Sequence, residues 1–178
     1  MDRDGSEGRL FFAILPDAAT AARISGLAGI LKRAYGFQAG LTESSKLHVS
    51  LFFLGSPCEP MVRWARDAAA DVEGRAFEVW FDRTVSFHGK PGNYPFVLAG
   101  DSGLDQLKSF GRLLGAALTR RGLRRLANRE FTPHVTLLYG EHQAEENSVE
   151  PVGWTVNEFA LIHSRYGHDR IGTWSLRS

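Results

Sequence analysis

Leu47-His48-Val49-Ser50-Leu51-Phe52-Phe53-Leu54-Gly55 and Pro133-His134-Val135-Thr136-Leu137-Leu138-Tyr139-Gly140 are near copies of one another. Each is an apolar run carrying one histidine and, two residues later, one hydroxyl. An extended strand turns successive side chains to opposite faces, so His48 shares a face with Ser50, and His134 with Thr136. Val49, Leu51, Val135 and Leu137 then take the other face, toward a core. The pattern predicts an imidazole beside a hydroxyl on one face of a buried strand, twice.

The segments before the two runs are also repeated. Arg9 to Leu15 is a compact, aromatic-rich apolar run that predicts a strand. Pro16-Asp17 opens a helix to about Tyr35, with Ile24, Leu27, Leu31 and Ala34 at helical spacing and Gly36 at its stop. A polar linker, Gln38 to Lys46, leads to the first histidine. In the second half Tyr94 to Gly100 predicts a strand, and Asp101-Ser102 caps a helix with Leu107, Phe110, Leu114 and Ala117 or Leu118 on one face. Gly122 ends that helix, and the second histidine run comes after it. Phe11 lies 37 residues before His48, and Phe96 lies 38 before His134. Repeated order at repeated spacing indicates a duplicated unit. Two lobes related by a pseudo-twofold would bring the histidine strands together across a shared cleft.

Between and after these units lie a helix from Glu59-Pro60 to Gly74 and a long alternating strand from Ala76 to His88. Gly89 to Asn93 is a turn by composition. An acidic loop spans Glu141 to Glu150, and two strands close the chain, Trp154 to Ser164 and about Ile171 to Arg177.

The 178 residues suit one domain over 1–178 made of two lobes, with residues 1–8 flexible. Hydrophobic residues are 43% and charged residues 23%, the balance of a soluble globular chain. Lys plus Arg number 21 against 20 Asp plus Glu, which excludes a global polycation that would wrap duplex nucleic acid. The single Cys58 excludes an internal disulfide and a multi-cysteine zinc site, and fits a reducing cytoplasm. No apolar stretch is long enough for a membrane span, and Met1 to Gly8, charged and short, is not expected to be a signal peptide. A cytoplasmic monomer with no membrane partner is expected.

Imidazoles titrate near neutrality, so one of a pair can be neutral while the other is charged. One then takes a proton from attacking water, and the other gives a proton to the departing oxygen. A cyclic phosphate diester suits such a pair, because ring strain assists departure and no metal is needed to polarise it. Ser50 and Thr136 would donate hydrogen bonds to non-bridging phosphate oxygens. Neither is expected as a nucleophile, since neither run carries an acid partner for a triad. One histidine beside a threonine is commonly a satisfied core residue, but two in matching contexts are hard to ascribe to coincidence.

At these residues the chain resembles the two-histidine (2H) phosphoesterases, and within them the RNA 2′,3′-cyclic phosphodiesterases, also called 2′-5′ RNA ligases. The likeness rests on His48-Val49-Ser50-Leu51 and His134-Val135-Thr136-Leu137, on Arg9-Leu10-Phe11-Phe12-Ala13, on Phe53-Leu54-Gly55, on Phe131-Thr132-Pro133 and on Phe159 to Ser164. It implies a bilobal α+β fold, a duplicated pair of antiparallel sheets facing a central cleft with helices outside. It also implies catalytic His48 and His134, phosphate-binding Ser50 and Thr136, no metal and no cofactor. The expected reaction is hydrolysis of 2′,3′-cyclic phosphate ends of RNA or nucleotides to a phosphomonoester. The alternatives are a 2′-5′ RNA ligase or phosphodiesterase acting on 2′,5′-linked or tRNA-splicing substrates, and a nucleotide-binding module without turnover. Close relatives often carry arginine five residues after the second histidine, where this chain has Tyr139. That departure bears on the substrate more than on the chemistry.

Other features carry weaker signals. Arg120, Arg121, Arg124, Arg125 and Arg129 form a basic cluster, read as a solvated helix end slightly ahead of an RNA contact. Phe11, Phe12 and Trp154 are mostly core, with at most one stacking on a base. His88, His142, His163 and His168 lack the motif context and are assigned no role. Cys58 is read as a small packing residue.

Overall fold

The computed structural model describes residues 8–123 and 131–178. Its strands are β1 (Arg9–Ile14), β2 (Val49–Gly55), β3 (Phe77–Ser86), β4 (Tyr94–Ala99), β5 (Val135–Gly140), β6 (Asn147–Val156), β7 (Glu158–Ser164) and β8 (Asp169–Ser175). The helices are α1 (Ala18–Tyr35), α2 (Glu59–Ala70) and α3 (Asp105–Arg120). The strands form two four-stranded antiparallel sheets, in the orders β2-β1-β7-β8 and β5-β4-β3-β6. The α+β architecture expected from sequence is therefore present, and so is its duplication. Strand β1 corresponds to β4, β2 to β5, β7 to β3 and β8 to β6.

Both histidine runs lie at sheet edges, each with one face buried as the pattern predicts. The register explains why one face is nonetheless fixed. Ala13 pairs with Ser50 and Phe12 with Phe52, so Leu51 is an extra residue in β2. Val97 pairs with Thr136 and Phe96 with Leu138, so Leu137 is an extra residue in β5 at the equivalent place. Each insertion is a β-bulge, and it shifts the alternation by one. Adjacent Leu51 and Phe52 are both buried, as are Leu137 and Leu138. Beyond the bulges Phe53 and Tyr139 join the face that carries Ser50 and Thr136, and they are 44% and 51% exposed.

Leu10, Phe12 and Ile14 of β1, Phe96 and Leu98 of β4, and the inner faces of the helices belong to one continuous core. Phe11, Ala13, Ala160 and Ile162 form a separate small cluster on the opposite face of the first sheet. The helices tie the lobes together. Tyr35 and Phe37, at and after the end of α1, pack on Phe96 at ring-centroid distances of 5.5 and 5.1 Å. Phe110 of α3 packs on Phe159 of β7 at 5.1 Å. Gly140 must lack a side chain, because a Cβ there would stand 2.6 Å from the Phe37 ring.

Helix α1 begins as its sequence indicates, with the Asp17 side chain accepting from the Thr20 amide at 2.9 Å. It ends on Gly36 at φ 72°, a conformation that glycine adopts without steric cost. Its buried face is Ala21, Ile24, Ala28 and Leu31, while Ala34 is exposed. Helix α3 begins later than expected. Ser102–Leu104 forms a 3₁₀ turn, and Asp101 makes no capping bond but pairs with Arg83 at 2.7 Å. Strand β6 starts at Asn147, inside the stretch expected to be loop. The stretch expected as one strand from Trp154 divides at Asn157 into β6 and β7, which belong to different sheets. Cys58, expected to be a small packing residue, is exposed at the N-terminal cap of α2 and makes no capping hydrogen bond with its side chain. Residues 1–7 of the segment expected to be flexible lie outside the described residues, as do Arg124, Arg125 and Arg129. Arg121 binds Asp71 at 2.7 Å and so joins the ends of α2 and α3.

The division into core and cleft faces predicts unequal costs for two phenylalanines close together in the first sheet. Phe12→Ala, at a fully buried site, is expected to destabilise by about 3–5 kcal/mol. Phe53→Ala, on the exposed face, is expected to cost less than about 1 kcal/mol. Urea unfolding of the two variants measures both.

Candidate active site

The edge strands place their histidines at one cleft. A cavity of about 440 Å³ is lined by His48, Ser50 and Phe53 from the β2 run and by His134, Thr136 and Tyr139 from the β5 run. These are residues 0, +2 and +5 of each motif, a set that strict alternation cannot turn to one face and that the bulges allow. Arg9 and Phe11 of β1, Ser164 at the end of β7, and His168 complete much of the wall. The segment after α1 supplies Leu41, Thr42, Glu43 and Lys46. That segment also covers the outer edge of β5, where the Thr42 amide donates to the Leu137 carbonyl at 2.8 Å.

Both imidazoles are held in the same way. His48 Nδ1 lies 2.7 Å from the Lys46 carbonyl, and His134 Nδ1 lies 2.8 Å from the Thr132 carbonyl. A carbonyl only accepts, so Nδ1 carries the hydrogen in each ring. When the ring is neutral, its lone pair is therefore on Nε2. His48 Nε2 meets Ser50 Oγ at 3.1 Å, so the hydroxyl donates to the neutral ring. Each residue two positions before a histidine thus sets its tautomer, and the residue two positions after shares its face.

The surroundings of the rings differ. His48 packs on Phe11 at 5.1 Å and on His168 at 4.9 Å, and Phe11 also touches His168 at 5.6 Å. His134 packs edge-on against Phe87 at 4.9 Å. Burial is the main cause that moves the His48 pKa below the ordinary imidazole value. The Lys46 carbonyl opposes this, and the charges His168 and His134 can carry add to it. His168 is lowered too, first by its own burial and then by the Lys46 charge, while Asp169 and Glu43 act in the other direction. Near neutral pH His48 is accordingly held in its neutral form, with Nε2 able to accept a proton.

His168 is the residue that sequence reasoning passed over. It sits between β7 and β8, and only the pairing of β7 with β1 brings it to His48. Of the aromatic residues expected to be mostly core, Phe12 and Trp154 are buried in it and Phe11 faces the cleft. His142 stacks on Phe37 at 4.5 Å, away from the cavity wall. Among the described residues, no helix is long and apolar enough to cross a membrane.

Known proteins share this architecture. The profile of the 2′-5′ RNA ligase superfamily matches residues 16–168. The chain belongs to that superfamily. Three solved structures show the breadth of the shared fold. A protein described as a phosphoesterase is 21% identical, with a TM-score of 0.73 over 97% of this chain and 99% of its own. LigT of E. coli in complex with 3′-AMP is 23% identical, with a TM-score of 0.72 over 96% of this chain and 99% of its own. TT0787 of Thermus thermophilus is 22% identical, with a TM-score of 0.65 over 96% of this chain and 98% of its own. LigT has also been solved with ATP, with NADP+ and with phosphate. No curated protein sequence matches the chain.

The environment of His48 predicts its titration. Its NMR-monitored pKa should lie below that of an exposed histidine. His168→Asn should move it upward, because the substitution removes a neighbouring ring that can carry positive charge and that helps to cover His48, and both losses favour the protonated ring. A His48 pKa unchanged by that substitution would show that His168 does not govern it.

Proposed function

We propose that this protein is a metal-independent cyclic phosphodiesterase that opens 2′,3′-cyclic phosphate ends of RNA or nucleotides to a phosphomonoester. The observation that carries the reading is the pair of imidazoles on one cavity, each with Nδ1 committed to a backbone carbonyl and Nε2 left for proton transfer. Residues 1–178 would act as one catalytic unit, because neither lobe supplies both histidines. The complexes of LigT with 3′-AMP and with phosphate are consistent with a cleft of this shape receiving a nucleotide phosphate.

His48 is the better general base, since burial holds it neutral. Its Nε2 takes a proton from water as the water oxygen attacks phosphorus. His134, protonated, gives its Nε2 proton to the ribose oxygen that leaves, so one P–O bond forms and one breaks. The two rings finish with their protonation states exchanged and recover through solvent. Ser50 and Thr136 donate to the non-bridging oxygens, whose negative charge grows in the transition state. The hydrogen bond from Ser50 to His48 Nε2 must be given up when substrate binds, which frees that nitrogen for water and the hydroxyl for phosphate.

His48→Ala and His134→Ala should each lower kcat on a nucleoside 2′,3′-cyclic phosphate by roughly 10²–10⁴, and the double variant by much less than the product. Ser50→Ala and Thr136→Ala should each cost on the order of 10-fold or more. Turnover should be unchanged by a chelator. The acidic limb of the pH profile reports the base, which must be neutral. Since the His48 pKa is lowered, that limb should extend below the ordinary imidazole range. A folded single His→Ala variant that retains near-normal turnover would refute the mechanism.

A further inference from the structure

The cleft face of the first sheet continues outward from the histidines in a fixed order. Ser50 pairs with Ala13, Phe53 pairs with Phe11, and Arg9 is the next residue of β1 on that face, opposite Ser164 of β7. Arg9, Phe11, Ser50 and Phe53 all line the cavity. A hydroxyl, an aromatic pair and a cation thus follow one another along the strands.

Two asymmetries mark this track. Among the described residues the cavity wall holds one lysine and one arginine, Lys46 and Arg9. Lys46 is bound to Glu43 at 2.9 Å, whereas Arg9 makes no ion pair among the described residues. Among the described residues the second lobe lacks the feature. Val97 and Pro95 of β4 occupy the places of Ala13 and Phe11, which puts Asn93 where the first lobe has Arg9. Tyr139, opposite Pro95, is the only aromatic at the corresponding step among the described residues.

We infer that Arg9 binds a second phosphate, the 5′-phosphate of the nucleotide whose cyclic phosphate is cleaved, so that RNA ends and 5′-phosphorylated nucleotides are preferred over bare nucleosides. This rests on the function proposed above, which sets the cyclic phosphate at Ser50 and Thr136. A 2′,3′-cyclic phosphate closes the 3′ end of a chain, so further nucleotides extend only from the 5′ side. Ala13 and Arg9 are four residues apart, about 13 Å along a strand. Less the reach of an extended arginine, that leaves the span of one nucleotide. Phe53 and Phe11 lie between, where the nucleoside would sit, and every base offers a face for stacking. A guanidinium presents paired donors that match two phosphate oxygens. Among the described residues this cation, without an ion pair, stands in one lobe alone and gives the cleft a polarity that the duplicated histidines do not.

The test compares kcat/KM for adenosine 2′,3′-cyclic phosphate with that for its 5′-phosphorylated form. The native protein should favour the 5′-phosphate by roughly 5- to 30-fold at low salt, with the preference shrinking as salt rises. Arg9→Gln should bring the ratio close to one, and Arg9→Lys should restore part of it. Arg23→Gln, on the exposed side of α1, controls for the change in net charge and should leave the ratio as it was. Equal use of both substrates by the native protein, or a ratio unaffected by Arg9→Gln, overturns the inference while leaving the cyclic phosphodiesterase reading intact. Turnover of neither substrate overturns both.

Discussion

A strand that alternates strictly cannot turn residues 0, +2 and +5 to one side. The cleft depends on breaking that rule at the same place in each lobe. Leu51 and Leu137 are inserted into the edge strands between the hydroxyl and the aromatic, and each insertion moves the residues after it to the opposite face. Phe52 and Leu138 are thereby sent into the core, and Phe53 and Tyr139 into the cleft. With a regular ladder the arrangement would be reversed. Two large apolar side chains would lie against the histidines, and two aromatic ones would compete for core volume already filled.

The lobes are alike in backbone and unlike in what surrounds their histidines. Each imidazole donates Nδ1–H to the carbonyl two residues earlier, an arrangement set within the motif itself. His48 then gains Phe11 and His168 as neighbours, while His134 gains Phe87. Acid–base catalysis by two identical side chains requires such a difference, since the two must be in opposite protonation states at one pH. Duplication supplies the pair, and in the proposed mechanism the burial that lowers the His48 pKa makes that ring the base. Arg9, which makes no ion pair among the described residues, would apply the same principle to substrate direction.

Much of this was legible in the sequence, and the reasons are local. The two histidine motifs, the strand-helix-strand order before each, and the stops at Gly36 and Gly122 are signals carried by neighbouring residues. The bulges were also written there, in the adjacent apolar pairs Leu51-Phe52 and Leu137-Leu138 that interrupt alternation, although periodicity alone read through them. Features decided by distant partners were not legible. Nothing near His168 says that β7 pairs with β1 and carries it to His48. The chain changes sheets at Asn157, a single polar residue between two runs that read as one strand. Asp101 has the composition of a helix cap, and only the position of Arg83 on β3 explains why it does not act as one.

The central claim is that one phosphate is held between two imidazoles contributed by two lobes. Histidine-selective NMR during titration with adenosine 2′-phosphate tests it most directly. The account predicts that the ring resonances of His48 and His134 shift together, with one dissociation constant and a stoichiometry of one ligand per chain, and that Thr136→Ala weakens both responses equally. A ligand that moves one histidine while the other stays silent, or two dissociation constants for the two rings, would contradict it.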